Sequence, residues 1–487
     1  FIRKGDIEIW VPSWMEVDVV PFNIDGYEIE SNVETGVKWT GSNDAKDRAD
    51  EVYTVTTYRF SALPKTTSEY MGLGPTYYMP HILLLNKSFD KKGERINLFS
   101  DVNDVYAWYS ELINGLNKEP SAELKEIIDK ITVDAKTDEE VLQNVFYWIQ
   151  DNIRYIAFED GIAGFKPEEA NNVCRLGYAD CKGMANLAKV MLSYKGIDAR
   201  LTWLGTRRID YSHSLPTLAA DNHMICTVFL NRETYYIDPT EEFVALSENA
   251  YRIQGREVLI ENGDSFLLKV IPEFDAFHNR TIKSSTVKIE GASLKGKVRQ
   301  AQYGESKMNI IRGYNLVANQ NKEAAVLAFL NNNNKNITID SVILPDFNNR
   351  DSALIFNYEY VAENSLIKTD DKLFVRAEQS DDFYNLKFTE RKTAYAFDAK
   401  YYTLETTSIA IPEGFEVAYM PKGMLHKQAG YLVKVEFIES NGVVEYRKLI
   451  RIEDTVLEPT EFEDWNTCID DLRRSYNDYI IFKKVGA

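Results

Sequence analysis

Cys181 has the position in this sequence that best suits a nucleophile. It stands in segment 177–183 (GYADCKG), where a loop rich in Gly and Asn meets an amphipathic pattern that predicts a helix. A thiol at a helix N-terminus faces unpaired backbone amides and the positive end of the helix dipole, which favour the thiolate. The alternative is an inert buried thiol, a common state of a free cysteine. From this position alone, the two interpretations are equally supported.

His223 begins a run of mostly apolar residues, 223–230 (HMICTVFL), that predicts a β-strand. Polar residues then turn the chain, and a second strand ends at Asp238. A hairpin centred on Asn231 places position 223 opposite about position 239, so we expect Asp238 close to His223. The carboxylate would then orient the imidazole and stabilise its cation, as the third member of a catalytic triad does.

The alternative role of His223 is structural, at the rim of the core. The chain has five histidines, and no predicted hairpin brings an Asp to the other four, which are His81, His213, His278 and His426. A cysteine on a helix, followed by His and Asp on strands, is the chain order of papain-like thiol enzymes. We therefore predict a catalytic triad of Cys181, His223 and Asp238.

The other three cysteines fit structural roles better. Cys226 alternates with apolar neighbours, so we expect it in the core, and Cys468 is expected to be half-buried on the last helix. Cys174 fits either a core or a loop. Four cysteines in 487 residues do not make a disulfide framework, and no Cys or His pair has the spacing of a zinc finger.

Two predicted helices and three strands must position these residues. Segment 137–153 begins with a capping box, in which the Thr137 hydroxyl and the Glu140 carboxylate satisfy free amides of the first turn. The second helix starts at or next to Cys181 and ends near Gly196. Residues 161–179 are expected to form a loop. The predicted strands are 199–205, 224–230 and 235–238.

The segments on either side of this core are rich in strand patterns. Residues 7–11 and 52–58 alternate or are β-branched, and alternation dominates from about residue 281. Asn441-Gly442 lies between two alternating runs and predicts a hairpin. Two helices are expected in the C-terminal part, at 322–330 and 462–477.

These patterns predict an α+β multidomain protein. A chain of 487 residues is too long for one core at about 100–200 residues per domain. We expect an N-terminal β-rich domain over 1–118, a catalytic core over 119–280, and a C-terminal β-sandwich-like domain ending in a helix over 281–487.

Composition excludes several classes of function. A net charge of −19 disfavours nucleic acid, whose phosphates require Lys and Arg. The longest aliphatic run, 82–85, is far shorter than the ~20 residues of a membrane span, so no membrane insertion is expected. No glycine-rich nucleotide loop or metal-ligand cluster is present in the sequence, so we expect no cofactor. The chain begins at Phe1 rather than Met, which indicates a trimmed start and leaves the compartment open.

Four motifs resemble bacterial members of the transglutaminase-like superfamily. Segment 145–155 (VFYWIQDNIRY) resembles the helix that opens these domains, and 164–167 (GFKP) resembles their glycine–aromatic–basic–proline loop. Segment 177–182 (GYADCK) resembles their nucleophile motif, and 238–240 (DPT) their terminal aspartate-proline-threonine. The resemblance covers about residues 120–265. The flanks resemble domains of unknown function that bracket this core in Bacteroidetes proteins.

The resemblance implies that Cys181 is the nucleophile, His223 the base and Asp238 the orienting residue. It implies a papain-like core, a peptide or protein substrate, and export to the periplasm or cell surface. It favours hydrolysis of peptide or amide bonds over cross-linking. The family often has an acidic residue where Gly183 stands, so a catalytically silent scaffold that acts as a binding module is the alternative. The backbone amide of Cys181 is a natural oxyanion donor, and Tyr155 is a weaker candidate for a second one.

Overall fold

The computed structural model describes residues 1–39, 51–65, 68–117, 119–157, 160–378 and 380–486. The chain forms two compact units, the first made of Phe1–Glu242 and Arg252–Glu273, the second of Phe243–Tyr251 and Phe274–Ala487. The boundaries of the three predicted domains, 1–118, 119–280 and 281–487, stay predictions. Residues 40–50, 66–67, 118, 158–159, 379 and 487 of those domains lie outside the described residues.

The first unit combines a five-stranded sheet that packs on helices with smaller antiparallel sheets. Its strands are β1 (Ile2–Pro12), β2 (Met15–Phe22), β3 (Glu28–Lys38), β4 (Val52–Leu63), β5 (His81–Lys91), β6 (Glu94–Asn97), β7 (Arg154–Tyr155), β8 (Tyr178–Ala179), β9 (Asp198–Leu204), β10 (His223–Leu230), β11 (Glu233–Ile237), β12 (Glu257–Asn262) and β13 (Ser265–Val270). Its helices are α1 (Val102–Ile113), α2 (Ala122–Thr132), α3 (Asp138–Asn152), α4 (Ala170–Leu176) and α5 (Cys181–Tyr194).

Strands dominate the second unit. They are β14 (Arg280–Glu290), β15 (Ser293–Gln302), β16 (Ile337–Ile343), β17 (Leu354–Ala362), β18 (Leu366–Lys368), β19 (Lys372–Val375), β20 (Tyr395–Ala396), β21 (Tyr401–Ala410), β22 (Phe415–Tyr419), β23 (Met424–Lys427), β24 (Tyr431–Ser440), β25 (Val443–Ile452), β26 (Val456–Leu457) and β27 (Ile480–Lys484). The helices are α6 (Gly304–Leu316), α7 (Lys322–Leu330) and α8 (Phe462–Asn477).

Helix α5 lies against the main sheet of the first unit. That sheet has the order β11-β10-β9-β12-β13, is antiparallel throughout, and packs on α5 through β9 and β10. Helices α2, α3 and α4 also pack against α5. The predicted apolar residues of α5 are at most 1% exposed, and they are Met184, Leu187, Ala188, Met191 and Leu192. Because each buried Leu or Met contributes roughly 2 kcal/mol, the helix that begins at Cys181 is firmly held.

Helix α3 begins where its sequence predicts. Thr137 Oγ1 accepts a hydrogen bond from the backbone amide of Glu140 at 3.2 Å. The Glu140 carboxylate, however, accepts from the backbone amide of Lys136 at 2.5 Å rather than from that of Thr137, so the reciprocal half of the predicted capping box is wrong. Both bonds satisfy amides near the helix start.

Segment 161–179 is not the continuous loop that we expected. It contains α4, whose Ala170 and Val173 are buried and whose C-terminus is closed by Gly177 at φ 70°. A helix of seven residues is too short to show a periodic apolar pattern, and its stability comes from packing against α5.

The N-terminal part of the first unit is β-rich, as expected. It forms one sheet of order β1-β4-β3 and another of order β2-β5-β6, both antiparallel. The patterns at 7–11 and 52–58 lie in β1 and β4.

The second unit has an eight-stranded and a four-stranded sheet that contribute to one hydrophobic core. The first has the order β16-β17-β15-β14-β21-β25-β24-β23, the second β18-β19-β27-β22. The Asn441-Gly442 hairpin and the helices 322–330 and 462–477 are confirmed. The expectation that α8 ends the domain is wrong, because β27 follows it and pairs between β19 and β22.

Helix α6 was not expected from the sequence. It contains Gly and Asn residues of low helix propensity, such as Gly313 and Asn309, and is anchored by buried Met308 and Ile311. The predicted class, an α+β core with β-rich flanks, is confirmed. In the part of the chain that the structure describes, no helix has the length and apolar character needed to cross a membrane.

Candidate active site

Cys181 is the first residue of α5, and Asp180 caps that helix. Asp180 has an extended backbone, and its Oδ1 accepts a hydrogen bond from the amide of Gly183 at 2.9 Å. The carbonyl of Asp180 accepts from the amide of Met184 at 3.0 Å and so starts the helical ladder. The amide of Cys181 belongs to the first turn, whose amides the ladder does not use, and the thiol lies at the positive end of the helix dipole.

Lys182 and Asp180 form a buried ion pair beside the thiol. Lys182 Nζ lies 2.5 Å from Asp180 Oδ2, and the two side chains are 7% and 8% exposed. The lysine therefore compensates the charge of the capping carboxylate, which would otherwise oppose a thiolate one residue away.

Close packing explains why residue 183 is a glycine in this structure. A Cβ at this position would lie 2.8 Å from the Cβ of Ala179 and 3.2 Å from Cγ2 of Val173. The first turn of α5 is thus too close to its neighbours to accept the acidic residue that the family often carries there.

His223 and Asp238 come together because β10 and β11 form a tight hairpin. The turn has only two residues, Asn231 and Arg232, with φ 52° and 70°. The ladder pairs Leu230 with Glu233, so its register places position 223 opposite 240 rather than 239 as we predicted. The difference of one residue arises because the two-residue turn is centred between Asn231 and Arg232 rather than on Asn231.

The structure brings the three predicted side chains to one site. His223 Nε2 lies 2.8 Å from Asp238 Oδ2, and these side chains are 4% and 2% exposed. Cys181 lines the same pocket as His223. Since Nε2 faces the carboxylate, Nδ1 is the ring nitrogen left for the thiol. The site therefore has the order sulfur, imidazole, carboxylate that nucleophilic acyl transfer requires.

The opposite charges of His223 and Asp238 attract each other, and this attraction offsets the cost of burying them. Burial opposes a charged imidazole, but the Asp238 carboxylate outweighs it and, with a smaller effect of Cys181, raises the pKa of His223 to about 9. Burial likewise opposes a charged carboxylate, yet His223 and Arg252 hold the pKa of Asp238 well below its usual range. At neutral pH the pair is therefore an imidazolium and a carboxylate.

Arg252 is a member of this cluster that the sequence did not reveal. Its Nη2 lies 2.8 Å from Asp238 Oδ2 and 3.2 Å from His223 Nε2, and it also hydrogen-bonds Thr240 Oγ1. Asp238 Oδ1 accepts from the amide of Thr240 at 3.2 Å and from its hydroxyl at 2.6 Å. These hydrogen bonds explain the Thr of the DPT motif, whereas no local sequence pattern predicts that Arg252 belongs to the cluster.

Cys181 and His223 line a pocket of about 310 Å³. Cys181 is only 8% exposed, but this pocket gives its sulfur a route to a ligand. The wall beside them includes Phe165, which belongs to the GFKP segment, Trp203 and Leu218. A ligand that has a small polar backbone group and an apolar substituent would fit against such a wall.

The remaining histidines and cysteines lie outside the predicted triad, and the expectation about the burial of Cys468 is wrong. A hairpin is not required to pair His with Asp: His213 Nε2 lies 2.9 Å from Asp221 Oδ1, and His426 Nε2 lies 2.7 Å from Asp471 Oδ2. Cys226 is fully buried as expected, and Cys468 is fully buried rather than half-buried. Half-buried Cys174 lies on α4.

Tyr155, the weaker oxyanion candidate, lies on β7 beside β8 and is 42% exposed. Within the described residues, no group of three or more His, Cys, Asp or Glu side chains is placed to hold a metal ion.

Two family models match the sequence. Residues 125–239 match the transglutaminase-like superfamily, and residues 371–482 match DUF3858, a domain of unknown function with a solved structure. Among curated proteins, none matches the chain.

Two solved structures are similar to the chain. One is a "putative protease" from Parabacteroides distasonis ATCC 8503, with a TM-score of 0.58 at 12% identity over 99% of this chain and 72% of that one. The other is a "putative cysteine protease" from Cytophaga hutchinsonii, with a TM-score of 0.20 at 12% identity over 49% of this chain and 75% of that one. At this identity the first likeness concerns the fold alone. The chain therefore contains a transglutaminase-like domain over residues 125–239, followed by a DUF3858 domain over residues 371–482.

Proposed function

We propose that this protein is a cysteine-nucleophile acyl-transfer enzyme that acts on peptide or amide bonds, with Cys181, His223 and Asp238 as its catalytic residues. One observation carries the proposal: a cysteine begins a helix beside an imidazole whose Nε2 lies 2.8 Å from a buried carboxylate. The thiol and the imidazole also line one pocket, so both can reach the same substrate.

In the first half of the reaction, the His223 imidazolium holds on Nδ1 the proton given up by Cys181, and the thiolate sulfur attacks the carbonyl carbon of the substrate. The backbone amide of Cys181 stabilises the oxyanion. The carbon–nitrogen bond then breaks, and the imidazolium gives its proton to the leaving amine. This leaves a thioester on Cys181 and a neutral imidazole held by Asp238.

In the second half, Nδ1 takes a proton from water, and the resulting hydroxide attacks the thioester. The carboxylic acid leaves, and the thiolate and the imidazolium are restored for the next cycle. An amine in place of water would give a new amide instead. We favour hydrolysis, since the similar Parabacteroides distasonis structure is described as a "putative protease". The apolar wall formed by Phe165, Trp203 and Leu218 favours substrates with a bulky apolar side chain near the scissile bond.

Alkylation of the native protein tests the site without knowledge of the substrate. Iodoacetamide near neutral pH should label Cys181 fast and selectively, because burial raises the pKa of the Cys226 and Cys468 thiols to about 12. Burial, with a contribution from Glu123, also raises the pKa of Cys174. His223→Ala should remove the selectivity, whereas His426→Ala, which alters a His–Asp pair outside the site, should retain it. Peptide mapping by mass spectrometry gives the rate at each thiol.

A peptide library separates hydrolysis from transamidation. Peptides cleaved by the wild type and not by Cys181→Ala identify the substrate class, and intact-mass spectra should show an acyl adduct on Cys181. Addition of a primary amine then shows whether the acyl group is released as the acid or as a new amide. Equal, slow labelling of all four cysteines, together with no adduct, would instead support the catalytically silent scaffold.

A further inference from the structure

Arg252 contacts the buried end of the proposed triad. Its Nη2 lies 2.8 Å from Asp238 Oδ2, the same oxygen that faces His223 Nε2 at 2.8 Å. The distance from Nη2 to Nε2 is 3.2 Å, so the guanidinium also faces the imidazole directly. One carboxylate oxygen is therefore shared by two cationic groups.

The position of Arg252 is fixed by its surroundings. Its backbone carbonyl accepts a hydrogen bond from the amide of Arg207 at 2.9 Å, and the next residue, Ile253, is fully buried. Its Nε lies 2.9 Å from Oε1 of Glu241, and its Nη2 bonds the hydroxyl of Thr240. The side chain is 36% exposed, so most of its surface is covered by these neighbours.

We infer that Arg252 is a positioning residue that holds the Asp238 carboxylate on Nε2 of His223 and limits how strongly the imidazole keeps its proton. The inference rests on the proposed function, for which the imidazole must release as well as accept a proton. A buried carboxylate alone would make the imidazolium too stable to release its proton to the leaving amine. A guanidinium on the same oxygen offsets part of that charge.

The charged groups around the imidazole come from several elements. They are the thiol of Cys181 at the start of α5, the carboxylate of Asp238 after β11, and the guanidinium of Arg252. Glu241 and the Tyr155 phenol act on the guanidinium rather than on the ring. Lys182 is paired with Asp180 and so adds little net charge at the pocket.

Removal of the guanidinium should raise the pKa of His223. A unit charge at 3.2 Å from Nε2 changes the pKa by about one unit even at the dielectric constant of water. Arg252→Met keeps the aliphatic stem and removes the charge, so the pKa should rise by at least that amount. Arg252→Lys keeps the charge and should return the titration toward that of the wild type. In both variants the thermal unfolding profile shows whether the protein is folded.

NMR titration of histidine-selectively ¹³C-labelled protein measures this directly, because the chain has only five histidines and His223→Gln identifies the signal. Arg207→Gln is the matched control, since Arg207 pairs with Glu273 at 2.6 Å and its side chain is outside the triad contacts described above. The expected result is an upward shift in Arg252→Met alone. An unchanged titration in a folded Arg252→Met variant would overturn the inference.

Enzyme assays add a second readout, with a peptide that the wild type cleaves. Acylation needs the imidazolium proton for the leaving amine, so the alkaline limb of the pH profile should move upward in Arg252→Met by the same amount as the pKa. A fall in rate with no movement of that limb would show that Arg252 has only a structural role. The NMR titration does not require turnover, so absence of any cleavage by the wild type would refute the proposed function while the titration still decides the role of Arg252.

Discussion

Asp238→Asn is the substitution that most directly tests the electrostatics of the site. It removes the charge that faces Nε2 of His223 and preserves the shape of the side chain. Burial is the largest influence on the imidazole and opposes its charge, so without the carboxylate the pKa of His223 should fall from about 9 to below 6.5. A decrease of at least about 2.5 units corresponds to about 3 kcal/mol of interaction between the imidazolium and its surroundings.

The same change predicts how stability depends on pH. Because the pKa of His223 is raised in the folded protein, its stabilisation is fully present below pH 6.5 and is lost as the pH rises through about 9. The difference in unfolding free energy between the wild type and Asp238→Asn should therefore decrease by about 3 kcal/mol as the pH rises from about 6 to about 10. Loss of the contact between Asp238 and Arg252 adds a destabilisation that does not vary over this range.

Urea unfolding at several pH values, with NMR titration of His223, measures both quantities. Asp471→Asn is the matched control, because Asp471 pairs with His426 at 2.7 Å outside the site and should leave the titration of His223 unchanged. Alkylation of Cys181 should slow in Asp238→Asn and not in the control. If the free-energy difference stays constant with pH, or if His223 in Asp238→Asn still titrates above pH 8, the electrostatic account of the pair is wrong.

Two further predictions concern the packing next to Cys181 and the turn between β10 and β11. Gly183→Glu should lower stability by about 1–3 kcal/mol because its Cβ would lie 2.8 Å from that of Ala179, whereas Gly313→Ala, on α6 with no atom within 4 Å of the new Cβ, should be neutral or stabilising. Thermal unfolding compares the two, and equal effects would contradict the packing argument. Arg232→Gly should raise stability by roughly 1 kcal/mol, because Arg232 has φ 70° in the hairpin turn and glycine adopts that conformation without steric cost. Calorimetry measures the change, and a loss of stability would show that the arginine side chain has a role that its backbone conformation does not reveal.

Much of the local structure could be predicted because its causes lie within a few residues. The start of α3 depends on Thr137, and the hairpin at Asn441-Gly442 depends on two residues that tolerate positive φ. Helix α8 was predicted with its observed bounds, since its apolar residues recur at helical spacing. Elements without such signals were missed: α4 is too short, and α6 contains residues of low helix propensity.

The site shows the same division between local and distant causes. A thiol at the start of a helix, and a His and an Asp at the open end of one hairpin, could be placed from the order of residues because a two-residue turn brings positions 223 and 238 together. Register, however, depends on the centre of the turn, which lies between Asn231 and Arg232 rather than on Asn231 as we assumed. A difference of that size does not separate the two side chains, since both lie at the same end of the ladder.

The amino-acid sequence by itself determined the chemistry available to this protein: one thiol at a helix N-terminus, an imidazole, a carboxylate, and the local turns and caps that hold each on its own element. Only the tertiary structure decided which other groups surround them. Arg252 reaches Asp238 from a 3₁₀ turn 14 residues further along the chain, and the Cβ of Ala179 leaves no room for a side chain at Gly183. Contacts of this kind depend on how helices and strands pack in three dimensions, and no spacing along the chain encodes the distance between two such atoms.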